Sequence, residues 1–305
     1  MIEPAIAVEG LTKRYGGQAA VDDLSFAVRP GAVTGFLGPN GAGKTTTLRM
    51  VLGLARPSGG RALILGRPYG ELDDPARTVG ASLEVSGFHP GRSGRDHLRA
   101  LAAMAGFPTR RVDEVLELVD LSDAAGRRAG KYSLGMRQRL ALAATLLGDP
   151  QVLVLDEPAN GLDPQGIRWL RDFLRAQAAG GRTVLVSSHV LAEVAQTVDD
   201  VVVISRGRLT YGGSIEEFTH RAGGDRVRVR AADLGDLVPA LEAAGAEVQR
   251  TEGDALLVGR LAAGRIGELA LEQRVALHEL APQGASLEEV FLELTAETRE
   301  EVAAR

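Results

Sequence analysis

The segment Gly38-Pro-Asn-Gly-Ala-Gly-Lys44-Thr45 constrains this chain more than any other, because it follows a strand-like apolar run, VTGFL, and opens a helix-like one, TTTLRMVLGL. Strand, glycine-rich turn and helix in that order make a cradle whose backbone N–H groups curl round phosphate at a helix N-terminus. Gly38, Pro39, Asn40, Gly41, Ala42 and Gly43 form the cradle, with Lys44 reaching the β- and γ-phosphates. The Thr45 hydroxyl is then a ligand for Mg²⁺, and Thr46 completes the phosphate-binding set. Only Lys13, Lys44 and Lys131 among the 35 basic residues are lysine, so the pattern does not arise from composition.

Hydrolysis of a nucleoside triphosphate needs one acid for the metal and another for the attacking water. Val152-Leu-Val-Leu-Asp156-Glu157 supplies both at the end of a buried-strand pattern. Asp156 is expected to hold Mg²⁺ through water, and Glu157 to orient or deprotonate the nucleophile. Taken by itself the run is also what a strand end and a solvated turn look like; beside the phosphate loop it reads as chemistry.

The 305 residues are 45% apolar and 25% charged, the profile of a globular chain with one oversized domain or two ordinary ones. A net charge of −5 gives the surface no general attraction for nucleic acid or anionic lipid, and no nucleic-acid partner is expected. The absence of cysteine excludes disulfide frameworks, thiolate zinc sites and cysteine nucleophiles. The first ten residues carry Glu3 and Glu9 and no basic stretch, unlike a secretory signal. No apolar run approaches the roughly 18 residues of a membrane helix. The chain is therefore expected in the cytosol, with any membrane spanning left to another polypeptide.

Short apolar runs at Ile6–Val8, Leu24–Val28, Val33–Leu37, Val152–Leu155, Thr183–Ser187 and Val201–Ser205 alternate with helical periodicity, which predicts an α/β protein with a largely parallel sheet. Between Phe88 and Gly130 the pattern is mostly helical, with Leu98, Leu101, Ala102 and Ala105 on one face and Val115, Leu116 and Val119 on another. RAGGD at 221–225 reads as a linker. Beyond it, strand-like Arg226–Arg230, helix-like Leu234–Ala244, strand-like Glu247–Arg250 and Ala255–Gly259, helix-like Arg265–Glu272 and strand-like Val275–Leu280 give the order βαββαβ of a ferredoxin-like module. Ser286–Glu300 is expected to close the chain as a helix.

Between the phosphate loop and the acidic pair lies Tyr132-Ser-Leu-Gly-Met-Arg-Gln-Arg-Leu140, which resembles the signature of ATP-binding-cassette ATPases, LSGGQ in its commonest form. Ser133 and Gly135 fall on that family's serine and second glycine, while Tyr132, Leu134 and Met136 replace its leucine, first glycine and glutamine. Gly161-Leu-Asp163-Pro is similar to the family's D-loop, and TVLVSSH ends in His189, similar to its switch histidine. The resemblance covers roughly residues 1–220, helical insert at about 88–135 included. It implies a P-loop cassette with a parallel-sheet core, an antiparallel β subdomain and that insert, followed at 221–305 by a small α+β accessory domain.

By that resemblance the active unit is a homodimer in which the phosphate loop of one copy and the signature of the other enclose ATP with Mg²⁺. Ser133 and Gly135 face the γ-phosphate, Asp163 links the two nucleotide sites, and His189 donates to the transferred phosphate. Read from the residues alone, Ser133 is also a helix cap, Asp163 a turn residue and His189 an interior side chain. Tyr15, in LTKRYGG, stands where the family stacks an aromatic ring on adenine; a core tyrosine is the other reading. Glu84 aligns with the family's Q-loop glutamine, as a metal contact that adds negative charge beside the triphosphate or as a solvated loop residue. The segment through Gly87-Phe88-His89-Pro90 and the C-terminal extension resemble the bacitracin- and daunorubicin-type export group. The function implied is that of a peripheral subunit on the cytoplasmic face of the membrane, energising efflux of a drug, antibiotic or lipid-like molecule through a separate permease. The alternative is a soluble cassette acting as a nucleotide-dependent switch or by sequestering a drug.

Overall fold

The computed structural model describes residues 3–83, 88–222, 226–231, 233–251 and 255–282, with Phe291, Leu294 and Thr295. Two compact units divide between Ile215 and Glu216. The first runs β1 (Ile6–Tyr15), β2 (Gln18–Val28), β3 (Val33–Leu37), α1 (Lys44–Val51), β4 (Gly59–Ile64), α2 (Pro75–Thr78), β5 (Val79–Ser82), α3 (Gly94–Ala105), α4 (Arg110–Leu118) and α5 (Leu134–Thr145). It continues through β6 (Val152–Leu155), α6 (Pro164–Ala179), β7 (Thr183–Ser188), α7 (Leu191–Val194), β8 (Asp200–Ser205) and β9 (Arg208–Ser214).

β3, β6 and β7 show no inside–outside alternation because both faces are covered; every residue in them is buried, the hydroxyls of Thr34, Thr183, Ser187 and Ser188 included. They lie in a six-stranded sheet of order β5-β6-β7-β3-β8-β9, parallel except for the β8–β9 hairpin at its edge. The register pairs Leu37 with Ser188 and Leu155 with Val186, so the chain leaves three adjacent strands at one edge. Ligands of open parallel sheets bind at such carboxyl ends.

Two of the apolar runs, Ile6–Val8 and Leu24–Val28, belong instead to an antiparallel sheet of order β2-β1-β4. β1 and β2 are half-buried strands joined through Gly16 and Gly17 as a hairpin, with inward residues such as Val8, Leu11, Val21 and Leu24 at most 2% exposed. That sheet packs on the parallel one through a shared core in which Phe26 stacks on Phe36 with ring centroids 5.2 Å apart. Full burial of a side chain such as Phe36 contributes about 1.5–3 kcal/mol.

In the insert, Ser93 caps α3 by accepting from the Asp96 amide, and Gly106 ends the helix in the left-handed region at φ 70°. Residues 90–95 are zipped to 125–130: Gly130 N donates to Pro90 O (3.0 Å), Ala129 N to Arg92 O (2.9 Å) and Arg95 N to Ala125 O (2.9 Å). Tyr132 closes the zipper. Its hydroxyl donates to Ala124 O at 2.8 Å, and its ring fills the space a Cβ on Gly94 would need.

The second unit contains α8 (Ile215–Ala222), all but its first residue, then β10 (Val227–Ala231), α9 (Leu237–Ala243), β11 (Glu247–Thr251), β12 (Ala255–Gly259), α10 (Ala263–Glu272) and β13 (Leu277–Pro282). Its sheet is antiparallel with order β11-β12-β10-β13, a split βαβ topology. α9 and α10 bury Leu237, Leu241 and Ile266 against Val229, Leu256 and Val258 in a core of their own. Most of the expected terminal helix, Ser286–Glu300, lies outside the described residues; Phe291, Leu294 and Thr295 are helical.

A Cβ on Gly80, in β5, would stand 2.2 Å from Thr145 O, so Gly80→Ala should cost about 1–3 kcal/mol in urea unfolding. The exposed neighbour Ala81→Ser should stay within about 0.5 kcal/mol of the parent. His97 is 7% exposed, and burial, with Arg92 nearby, holds its pKa below the ordinary value near 6.5. The unfolded chain takes up that proton first, so the His97 contribution is constant above about pH 6.5 and stability is lost as pH falls below it. His97→Gln should flatten the slope of unfolding free energy between about pH 5 and 7.

Candidate active site

The phosphate loop leaves β3 and is braced by backbone from elsewhere in the first unit. A Cβ on Gly38 would lie 2.5 Å from Ile204 O, and one on Gly43 2.5 Å from Ala20 O. Gly43 also has φ 102°, open to glycine and strained for other residues. Gly207 N donates to Ala42 O at 2.9 Å, and Ala42 N to Pro39 O at 3.1 Å. Pro39, Asn40 and Gly41 are exposed at the tip, ahead of the N-terminus of α1.

Lys44 is 6% exposed. A buried ammonium is expensive without acceptors, and it has them: Nζ donates to Gly38 O at 2.7 Å and lies 3.2 Å from Glu157 Oε1. The other Glu157 oxygen, Oε2, is 2.8 Å from His189 Nδ1. Thr45 Oγ1 donates to Asp156 Oδ2 at 2.7 Å. The loop of β3, the acidic pair after β6 and the histidine after β7 thus form one contiguous polar cluster, as the strand register requires.

Ser187 organises the acids and was read from sequence only as part of a strand. Its Oγ donates to Asp156 Oδ1 and accepts the Glu157 backbone N–H at 2.9 Å. Glu157 has φ 49°, a left-handed conformation that costs about 1–3 kcal/mol and needs a local hold. The signal was available in TVLVSSH: the large majority of buried hydroxyls are hydrogen-bonded, so a serine at the end of a buried strand points to a nearby polar partner.

Thr45 and Asp156 offer hard oxygen donors side by side, the chemistry Mg²⁺ selects, so the residues present fit that ion. Among the described residues no group of three or more His, Cys, Asp or Glu could hold a metal. A cation here would complete its shell from phosphate and water, as Mg²⁺ does at nucleotides. Glu84 lies outside the described residues. Tyr15 is 57% exposed at the end of β1, which removes the core alternative; the Lys13 ammonium sits 4.9 Å from its ring centroid, on one face.

Ser133, Gly135 and Asp163 are gathered elsewhere on the first unit, on a concave surface that Arg139 and Gly161 also line and to which, among the described residues, the phosphate loop contributes nothing. Ser133 is the N-cap of α5, its Oγ accepting from Met136 N at 3.3 Å. Asp163 is the N-cap of α6, accepting from Gly166 N at 2.7 Å. The cap reading of Ser133 holds as geometry, Asp163 proves to be a cap where a turn residue was the reading, and two helix N-termini open onto one surface.

A phosphate cradle at the carboxyl edge of a parallel sheet, with a lysine, a threonine and two acids converging on it, defines a P-loop nucleoside triphosphatase. The match to the family model described as ABC transporter over residues 21–160 narrows the class. The bacitracin transport ATP-binding protein BcrA of Bacillus licheniformis is 44% identical, the match covering 67% of this chain and 68% of that one. The daunorubicin resistance ATP-binding protein DrrA3 of Streptomyces coeruleorubidus is 36% identical over 98% of both chains. A solved ATP-binding subunit of an ABC transporter superposes with a TM-score of 0.62 at 28% identity, covering 72% of this chain and 93% of that one. The chain belongs to the ATP-binding subunits of ABC transporters, which are ATPases. Residues 225–288 match a domain family of unknown function.

Ser187→Ala would leave one oxygen of a buried carboxylate and a strained amide without partners. It should lower unfolding free energy by about 1–3 kcal/mol. ATP turnover should fall by about tenfold or more as the acids lose their orientation. Denaturant unfolding and a phosphate-release assay read the two effects separately.

Proposed function

We propose that this chain is the energising subunit of an exporter, in which two copies close over two Mg²⁺-bound ATP molecules and drive efflux of a drug, antibiotic or lipid-like molecule through a separate permease. The observation that carries the reading is the separation of the site into two surfaces of one unit, the Lys44–Asp156–Glu157–His189 cluster and the Ser133–Gly135–Asp163 face. The ATP-sandwich arrangement of the resembled family gives each surface a role only when the second comes from another copy. The bacitracin and daunorubicin relatives support export of a drug-like molecule, and DrrA3 resembles this chain over nearly all of its length, accessory module included.

The cradle from Gly38 to Gly43 and the N-terminus of α1 bind the phosphates through backbone N–H groups, with Thr46 in the first turn. Lys44 holds the β- and γ-phosphates. Thr45 and Asp156 hold Mg²⁺, which when bound offsets phosphate charge; Glu84 is assigned to the same charge environment. Glu157 accepts the proton of the attacking water as its oxygen bonds to the γ-phosphorus and the bond to the β–γ bridging oxygen breaks, with ADP as the leaving group. His189, anchored to Glu157 through Nδ1, presents its remaining ring edge to the transferred phosphate. Tyr15 offers the ring face away from Lys13 to adenine, a stack worth about 1–3 kcal/mol. Ser133 and the amides of α5 meet the partner copy's γ-phosphate, and Asp163 connects the two sites.

Among the described residues no helix is long and apolar enough to cross a membrane. Attachment to the cytoplasmic face is therefore assigned to the permease, which the insert around 84–105 contacts. Residues 221–305 act as an accessory domain.

Glu157→Gln should retain Mg·ATP binding and lower turnover by on the order of 10²–10³. A fluorescent ATP analogue and single-turnover hydrolysis separate the two. Hydrolysis at the parental rate would take the base role from Glu157, and loss of binding would make it a phosphate-site residue.

A further inference from the structure

The concave face bearing Ser133 and Asp163 is assembled from two helices that the sequence separates by the whole of β6, and something must hold them in register. At the tip, Leu134 reaches over Gly161: a Cβ there would lie 2.5 Å from Leu134 Cδ2, and Gly161, at φ 71°, has none. Behind the tip, the Arg139 guanidinium of α5 lies over the Trp169 ring of α6, 4.1 Å from its centroid. Arg139 Nη1 donates to Asp120 Oδ2 at 3.2 Å and to Val119 O at 3.3 Å. Trp169 Nε1 donates to the same Asp120 Oδ2 at 2.9 Å. Asp120, just past α4, is itself held at φ 55°. Trp169 continues the stack onto Phe173, 5.3 Å away and 6% exposed.

One carboxylate oxygen thus receives donors from two helices, and one guanidinium spans the gap between them. The Asp120 side chain is 68% exposed, so the ion pair adds little to stability. What it supplies is geometry. A planar guanidinium can stack on indole and donate sideways to a carboxylate at once, which an ammonium cannot do. Arg139 lies four residues after Gly135, on the same side of α5, and lines the face it supports.

We propose that Arg139, clamped between Asp120 and Trp169, is a positioning residue that locks the Ser133 tip to the Asp163 turn, so that the two present a single rigid surface to the second copy. This rests on the two-copy reading above, and it assigns to the end of α4 a direct mechanical link with that surface. Trp169, the only tryptophan of the chain, sits inside the clamp and reports on it.

The test uses the full chain in a Glu157→Gln background, where Mg·ATP-dependent pairing is read by light scattering against protein concentration. Arg139→Gln should leave binding of a fluorescent ATP analogue within about twofold of the parent, weaken pairing by about tenfold, and shift Trp169 emission. Arg139→Lys, which keeps the charge and loses the planar fork, should recover only part of the pairing. Trp169→Phe, which keeps a stacking ring and loses the N–H donor, serves as a second variant should Arg139→Gln fold poorly, with pairing again weakened. In an active Glu157 background, Arg139→Gln should lower kcat with KM for ATP unchanged. Parental pairing in both Arg139→Gln and Trp169→Phe overturns the clamp while leaving the two-copy reading intact. A parent that binds Mg·ATP and never pairs overturns the two-copy reading and the clamp with it.

Discussion

Backbone carbonyls crowd the phosphate loop, and the rest of the first unit is arranged around that crowding. Ile204 O on β8 stands where a Cβ on Gly38 would go, and Ala20 O on β2 where a Cβ on Gly43 would go. The loop is therefore shaped from two sheets at once, one parallel and one antiparallel. Their packing through Phe26 and Phe36 is a condition of the site. A loop pinned this closely keeps its amides directed at one point, so the ordering cost of phosphate binding is met when the chain folds.

The second constraint is charge. Lys44 is almost wholly removed from water, and its ammonium is tolerable because Gly38 O and Glu157 Oε1 face it. Glu157 does so from a left-handed conformation, which Ser187 secures by accepting its amide. The strain, the buried cation and the paired acids are thus one arrangement. It exists where β6, β7 and β3 run parallel and end together, and no antiparallel neighbour could deliver three consecutive loops to one edge.

How much of this was legible follows from where the signals sit. The continuous apolar runs of β3, β6, β7 and β8 declared buried parallel strands, and the βαββαβ order of the second unit could be read from alternation. β4, with Gly59-Gly60-Arg61 at its start, and β9, with Gly212-Gly213, carry too little apolar pattern to announce themselves; pairing with β1 and β8 makes them strands. The acids, lysine and histidine of the site were legible because their residue types are costly outside chemistry. Ser187 was not, since serine is ordinary in sequence and informative only once its burial is known. The Asp120–Arg139–Trp169 contact was illegible for a different reason: its members lie in the turn after α4, on α5 and on α6, and only tertiary packing makes them neighbours.

Some glycines are demanded by the chain's own packing, and others, Gly135 among them, are not. Gly38, Gly43, Gly60 and Gly80 each meet backbone within 2.5 Å of where a Cβ would be, so their own fold demands them. Gly135 lies in the first turn of α5, where a Cβ would make only ordinary contact with Leu162, 3.7 Å away. Alanine would fit there and favour the helix by about 1 kcal/mol. Nothing within the chain accounts for that sacrifice. It makes sense when the amides of the turn must be approached from outside by something large and anionic, and in the two-copy reading that is the γ-phosphate held by the other copy's Lys44. Leu134 beside it reaches over Gly161 yet is 45% exposed and lines the same concave face, so the open approach to the turn is at Gly135, which carries no side chain.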